Sequence, residues 1–201
     1  MDVIDAIYAR RAVKHFDSAH KMSADEEKKL FDAVIQAPTS FNIQHWRFIV
    51  LRAPELRSKI RKEFGNDQAQ MTDASLLVLF TADVGAWKKN PSRYWKNAPQ
   101  EVADLLVNWM GPFHEGREWL QRDEAQRSIG MAMQTMMLAA QGLGYQSCPM
   151  IGFDIDKVAE LINLPADHVM GPMVAIGKGT KDPWPKPGQL SLEDVVSDNS
   201  F

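Results

Sequence analysis

Ala37-Pro38-Thr39-Ser40-Phe41-Asn42-Ile43-Gln44-His45-Trp46 runs straight into Arg47-Phe48-Ile49-Val50-Leu51. Pro38 stops the helix before it, because its ring disfavours the α conformation of the preceding residue. Trp46 to Arg52 is apolar enough to be a strand. Between the two lies an irregular turn rich in hydroxyls and amides. Upstream, Ser23-Ala24-Asp25-Glu26 reads as a capping box. Leu30, Phe31, Val34 and Ile35 then give the following helix one apolar face. Further upstream, Asp2 caps a short helix carrying Val3, Ile4 and Ile7. That helix delivers Arg10-Arg11-Ala12-Val13-Lys14-His15-Phe16, which holds three fixed cations within five residues. A cationic strip and a polar bend suit a ligand with an anionic end and a flat hydrogen-bonding end.

Downstream, Pro54 suits the first turn of a helix through Leu56, Ile60 and Phe64, with Gly65 as its stop. Ser75 to Thr81 is a short continuous apolar run, the mark of a buried central strand. Residues 84 to 119 hold Trp87, Trp95, Trp109 and Trp119, broken by Pro91, Pro99 and Pro112. They read as a helical excursion whose aromatics either pack or cover a ligand. A long helix is expected from Arg117 to Leu143, about 40 Å at 1.5 Å per residue. Its second half, Ile129 to Ala140, is apolar nearly all round, so it must be buried on every side. A dimer core supplies that burial. Tyr145 to Met150 and Val169 to Ile176 are strands, with a helix capped by Asp154 between them. The prolines at 183, 185 and 187 keep the tail from 182 to 201 extended at its start, and Leu190 to Val196 is an edge-strand candidate. Helices and strands interleave, so the class is α/β or α+β, in a single domain spanning 1–201.

The net charge of −3 gives no general field for nucleic acid. No apolar run approaches the roughly 20 residues of a membrane span. A single cysteine, Cys148, precludes an intrachain disulfide framework and suits the cytoplasm. Dinucleotide and P-loop glycine signatures are missing, as are zinc-protease and paired-cysteine motifs. The five histidines have no ligand spacing, so no metal is expected, and each reads as surface or satisfied core. Cys148 reads as a buried inert thiol. An enzyme built on these residues would lean on a bound cofactor.

Several motifs in order resemble the nitroreductase family of FMN-dependent oxidoreductases. They are Arg10-Arg11 with Lys14, the Ala37–Trp46 segment, Asp123–Ala132, Gly142-Leu143-Gly144 with Cys148–Asp154, and Gly177 followed by Asp182-Pro183 and Pro185-Lys186-Pro187. The resemblance implies an α+β fold with a small mixed or antiparallel sheet flanked by helices. It implies an obligate homodimer with two FMN at the interface, and ping-pong electron transfer from NADH or NADPH to a quinone or nitroaromatic acceptor. By the same resemblance, Arg10 with Arg11 or Lys14 neutralises a phosphate of roughly −1.5 to −2 charges, beside Ala12. Lys14 also lies near flavin N1 and the C2 carbonyl. Pro38, Thr39 and Ser40 border the ring from the partner subunit, and Asn42 and Gln44 suit the ribityl and pyrimidine edge. Backbone at Met150, Ile151 and Gly152 faces N5 and O4, and Lys186 is a second phosphate cation.

Two departures stand out. Gly188 occupies a place where the family often has a basic residue, with Lys178 as a candidate substitute. Gln70 stands where the family often has a lysine, near Asp67. Read without the family, Arg10-Arg11 is equally a helix end favoured by its own dipole, and the 39–44 bend a turn satisfying its own backbone. Reductive dehalogenation, flavin fragmentation and non-enzymatic flavin carriage are the competing roles.

Overall fold

The computed structural model describes residues 1–200. In chain order the elements are α1 (Val3–Ala9), α2 (Ala24–Val34), β1 (Trp46–Val50), α3 (Pro54–Lys59), α4 (Gln70–Asp73), β2 (Leu76–Asp83), α5 (Gln100–His114), α6 (Glu118–Gly142), β3 (Gln146–Met150), α7 (Ile155–Leu161), β4 (His168–Gly177) and α8 (Leu192–Val195). The strands form one antiparallel sheet in the order β1-β2-β4-β3. The class is therefore α+β, and no strand of the sheet pairs in parallel.

β2 explains the architecture. All eight of its residues are buried. Side chains alternate across a strand, so Leu76, Val78, Phe80 and Ala82 face one cluster with α2 and α6, built on Leu30, Val34, Ile129 and Met136. Leu77 and Leu79 face the other, with Ile60, Met71, Phe153 and Met173. The sheet is thus covered on both faces. Opposite Phe80 the register slips by one residue at Gly171-Pro172, a bulge that bends β4. A Cβ on Gly171 would stand 2.8 Å from Ile129, so glycine there lets α6 lie close on the sheet.

α6 confirms the long helix, but one chain covers only part of it. Ala125, Ser128, Ile129, Ala132, Met136 and Ala140 are buried. Gly130 and Gln134 are exposed, and Met131 and Leu138 are half-covered. Two local expectations fail. Leu190–Val196 contains no strand; Ser191 and Asp194 form a reciprocal capping box that starts α8, a signal outweighed in the sequence by its β-branched neighbours. Pro112 does not break α5 but lies inside its last turn. The helix closes past it because the Glu115 amide still reaches the Gly111 carbonyl at 2.8 Å.

The excursion is tethered at its root. Lys89 Nζ donates to buried Asp83 at 2.8 Å and to Asp167 at 2.6 Å. Asp83, Asp167 and His168 could together hold a metal ion, but the Lys89 ammonium already bridges the two carboxylates. Lys89 and His168 hold the Asp167 carboxyl down at about 2.

Candidate cofactor-binding site

The cationic strip owes its shape to strand-like backbone beyond α1. Asp2 accepts from the Asp5 amide and starts the helix, and Arg10 leaves it with ψ of 126°. Val13 then donates to the Ser147 carbonyl at 3.0 Å, and Phe16 bridges Gly179. Val13 and Phe16 are buried, whereas Ala12 and Lys14 stay exposed and Arg10 and Arg11 half-covered. Burying two residues of the strip pushes its cations outward.

Those cations line a cavity of about 640 Å³, within the size range of small-ligand sites. Arg10, Arg11, Ala12, Lys14 and Lys186 all border it, with Asp182 as the one lining carboxylate. The tail crosses it. Arg11 donates to the Trp184 carbonyl, Lys14 Nζ lies 4.9 Å from the Trp184 ring centre, and Lys186 Nζ donates to the Tyr8 carbonyl at 3.1 Å. Gln134 lines the same cavity, so the open face of α6 borders it. Lys178 is not part of the lining. It donates to the Gly144 carbonyl at 2.6 Å and stacks 3.8 Å from the Tyr145 ring centre. Gly188, at φ +136° with open space around it, brings no charge.

An amide cluster adjoins the strip. Gln70, only 5% exposed, donates to Gln68 Oε1 at 3.0 Å and toward the Cys148 sulfur at 3.9 Å. Burial raises the Cys148 pKa, while Lys14 and Arg10 pull it down, which places the thiol within the field of the strip. Gln68 and Asn66 both donate to the Gly152 carbonyl, at 2.8 and 3.1 Å. Met150 is buried and Ile151 is 74% exposed. Asp67 turns away and pairs with Arg61 at 2.7 Å. Asn66 and Gln68, not Asp67, are the side chains of this segment that reach the Gly152 carbonyl. Asn66 and Asp67 both have left-handed backbone, with φ of 52° each.

The polar bend lies elsewhere in the chain's own fold. Phe41, Asn42 and Gln44 all have φ near 50°, a conformation that costs non-glycine residues energy and clusters at functional sites. Thr39 Oγ1 accepts the Gln44 amide at 2.9 Å, and Gln44 Nε2 donates to the Asn42 carbonyl at 3.3 Å. Asn42 Nδ2 donates to the Tyr94 carbonyl at 2.8 Å, so the bend leans on the excursion. The Ser40 hydroxyl is buried without a partner. None of the residues from Pro38 to Gln44 lines the cationic cavity.

His45, next to the bend, is fully buried against α6, and burial beside His114 pushes it down to about 4. A histidine held below its ordinary value of 6.5 favours the fold above 6.5 and loses that contribution as pH falls toward 4. Between pH 7 and pH 5 this group alone should cost the fold about 2 kcal/mol. Urea titrations at the two pH values should show the loss, and His45→Asn should remove it. An equal pH slope in the variant would reject the assignment.

The chain thus combines a four-stranded antiparallel sheet covered on both faces with a cavity lined by cations. The Nitroreductase family profile matches residues 7–178, and the chain belongs to that family. It is 63% identical over 201 residues to "Protein DrgA" of Synechocystis sp., covering 98% of this chain and 95% of that one. It is 29% identical over 175 residues to "Putative NAD(P)H nitroreductase MhqN" of Bacillus subtilis, covering 84% of each. In fold it is similar to a crystal structure described as a "putative nitroreductase in complex with FMN" from Exiguobacterium sibiricum, with TM-score 0.90, 24% identity and coverage of 99% and 98%.

Proposed function

We propose that this chain is a homodimeric, FMN-dependent reductase that oxidises NADH or NADPH and passes the electrons to quinones and nitroaromatic compounds in a ping-pong cycle. The observation that carries this reading is one cavity lined by Arg10, Arg11, Lys14 and Lys186 with one opposing carboxylate. The donor set fits the group: guanidinium forks and ammonium ions suit a phosphate dianion, and the Gln70–Gln68–Gly152 amides suit a flat ring edge. No helix among the described residues is long and apolar enough to cross a membrane, and the reading places the enzyme in the cytoplasm.

When bound, FMN supplies a ring that accepts two electrons from a nicotinamide and yields them to an acceptor. Arg10, Arg11 and Lys186 anchor the phosphate. Lys14 presents an ammonium where negative charge grows on reduction. The strained bend, held by the bond from the Gln44 amide to Thr39, serves the partner's cavity. Residues around Trp109 and Phe113, both exposed on α5, select the acceptor. A partner also accounts for apolar surface left open on α1, where Val3, Ile4, Ile7 and Tyr8 are exposed, and on the tail at Leu190, Leu192, Val195 and Val196.

Lys14→Met should keep flavin but lower its midpoint potential, read by anaerobic dye equilibration; an unchanged potential would refute the role given to Lys14. The test of the whole reading is the visible spectrum of purified protein during anaerobic titration with each pyridine nucleotide. Bleaching followed by reoxidation with a quinone supports it. A flavin spectrum that neither nucleotide bleaches would make the protein a carrier instead.

A further inference from the structure

A second cavity, of about 440 Å³, opens where the chain leaves β1. Its size is within the range of small-molecule sites. It shares no lining residue with the cavity at the cationic strip. Lys21, Arg52 and Arg57 line it, and no aspartate or glutamate does. Leu51 and Leu76, both buried, give it an apolar wall.

The three cations are not equivalent. Arg52 has its own counter-ion, because both of its terminal nitrogens donate to Glu27, one of them at 3.1 Å. Arg57 is held by neutral groups instead. Its Nε donates to the Met71 carbonyl at 2.6 Å and its Nη2 to the Ala74 carbonyl at 2.7 Å. These bonds to the end of α4 fix the guanidinium plane without balancing its charge. Asp73, close by, accepts from Thr72 Oγ1 at 2.8 Å and lies 4.0 Å from Arg61. Lys21 also meets a neutral group, the Ser18 carbonyl at 3.0 Å. Among the described residues neither Arg57 nor Lys21 joins an ion pair. One short piece of backbone holds both cations in place. Ala74 binds Arg57, and the next residue, Ser75, donates from Oγ to the His20 carbonyl at 2.9 Å, beside Lys21. Ser75 itself lines the cavity. Burial lowers the Arg57 pKa against the field of Asp73. A half-buried, immobilised guanidinium of this kind gains from an anion that pairs with it.

We propose that this second cavity binds a small organic anion, its phosphate or carboxylate group against Arg57 and Lys21 and its compact apolar body against Leu51 and Leu76. The fixed guanidinium and the ammonium recognise the charge. The apolar wall favours an organic anion over a bare inorganic one. The site stands independently of the flavin reading, since the two cavities have no residue in common.

Amide nitrogen-15 spectra of the full chain, recorded with FMN in excess, provide the test. Phenyl phosphate and benzoate are titrated separately. At least one should move the Leu51, Ser75 and Leu76 amides saturably while Val13 and Ser147 at the strip stay in place. Which probe does so tells a phosphate site from a carboxylate site. Inorganic phosphate, which lacks the ring, and benzyl alcohol, which lacks the charge, should each bind about tenfold more weakly or worse. Arg57→Gln should weaken the bound probe roughly tenfold or more. Should that variant not fold, Lys21→Gln replaces it, because Lys21 is exposed, and a loss of about threefold or more is expected. Absence of saturable shifts at these amides with either probe would overturn the proposal. So would movement confined to Val13 and Ser147, equal affinity for inorganic phosphate or benzyl alcohol, or an affinity that the variant leaves unchanged.

Discussion

Replacing Arg10 and Lys186 together by alanine should weaken FMN binding by roughly a hundredfold or more, since hydrogen bonds to charged groups contribute ~1.5–3 kcal/mol each. The two cations reach the cavity from distant parts of the sequence, one from the end of α1 and one from the tail. Neither side chain is buried, so their loss should leave the fold intact. Lys186 gives up its bond to the Tyr8 carbonyl, an exposed contact of small consequence. Riboflavin, which lacks the phosphate, makes the result diagnostic. Its affinity should be unchanged in the double variant, measured by flavin fluorescence at fixed salt, because added salt screens exposed charges. An equal loss for riboflavin would mean that the cations act on the ring or on folding. No loss for either would remove the phosphate from this cavity.

Gly130→Glu should convert the protein to a monomer and abolish retention of FMN through gel filtration. Gly130 is exposed on α6, and a Cβ at this position would meet nothing within 4 Å. A single chain therefore accepts the glutamate without strain. It should even gain from it, because glycine in a helix interior is about 1 kcal/mol worse than most residues. Harm from this change must come from a second chain seated on the same face. Gln134, one turn along, lines the cationic cavity, so a partner on this face also closes that cavity. Sedimentation should give the monomer mass with normal far-ultraviolet dichroism. A dimer that keeps its flavin would show that α6 is not the contact.

The fold is legible wherever one local signal dominates. The short continuous apolar run at Ser75–Thr81 reads as a buried central strand, and β2 (Leu76–Asp83) is that strand. Ser23 with Glu26 marks the start of α2, and the capping box is formed in full. The same motif at Ser191 is masked by Leu190, Val195 and Val196, which together look like an edge strand. The site is legible as residue types but not as an assembly. Arg10, Arg11, Lys14 and Lys186 converge although 172 positions separate Lys14 from Lys186, because the tail folds back across the strip. The sequence does not show that Asp67 pairs with Arg61 while Asn66 and Gln68 reach Gly152. Lys178 is spent on the Gly144 carbonyl and the Tyr145 ring, and spacing alone does not reveal such local engagement. Nor does the sequence show that the polar bend leans on Tyr94 rather than on the cationic strip of its own chain.

That separation is what a two-chain site resolves. A crystal structure of the FMN-saturated protein tests it most directly. The account places the phosphate among Arg10, Arg11 and Lys186 of one protomer, with the Thr39–Gln44 bend of its partner against the ring. A phosphate bound elsewhere, or a ring enclosed by one chain alone, would contradict it.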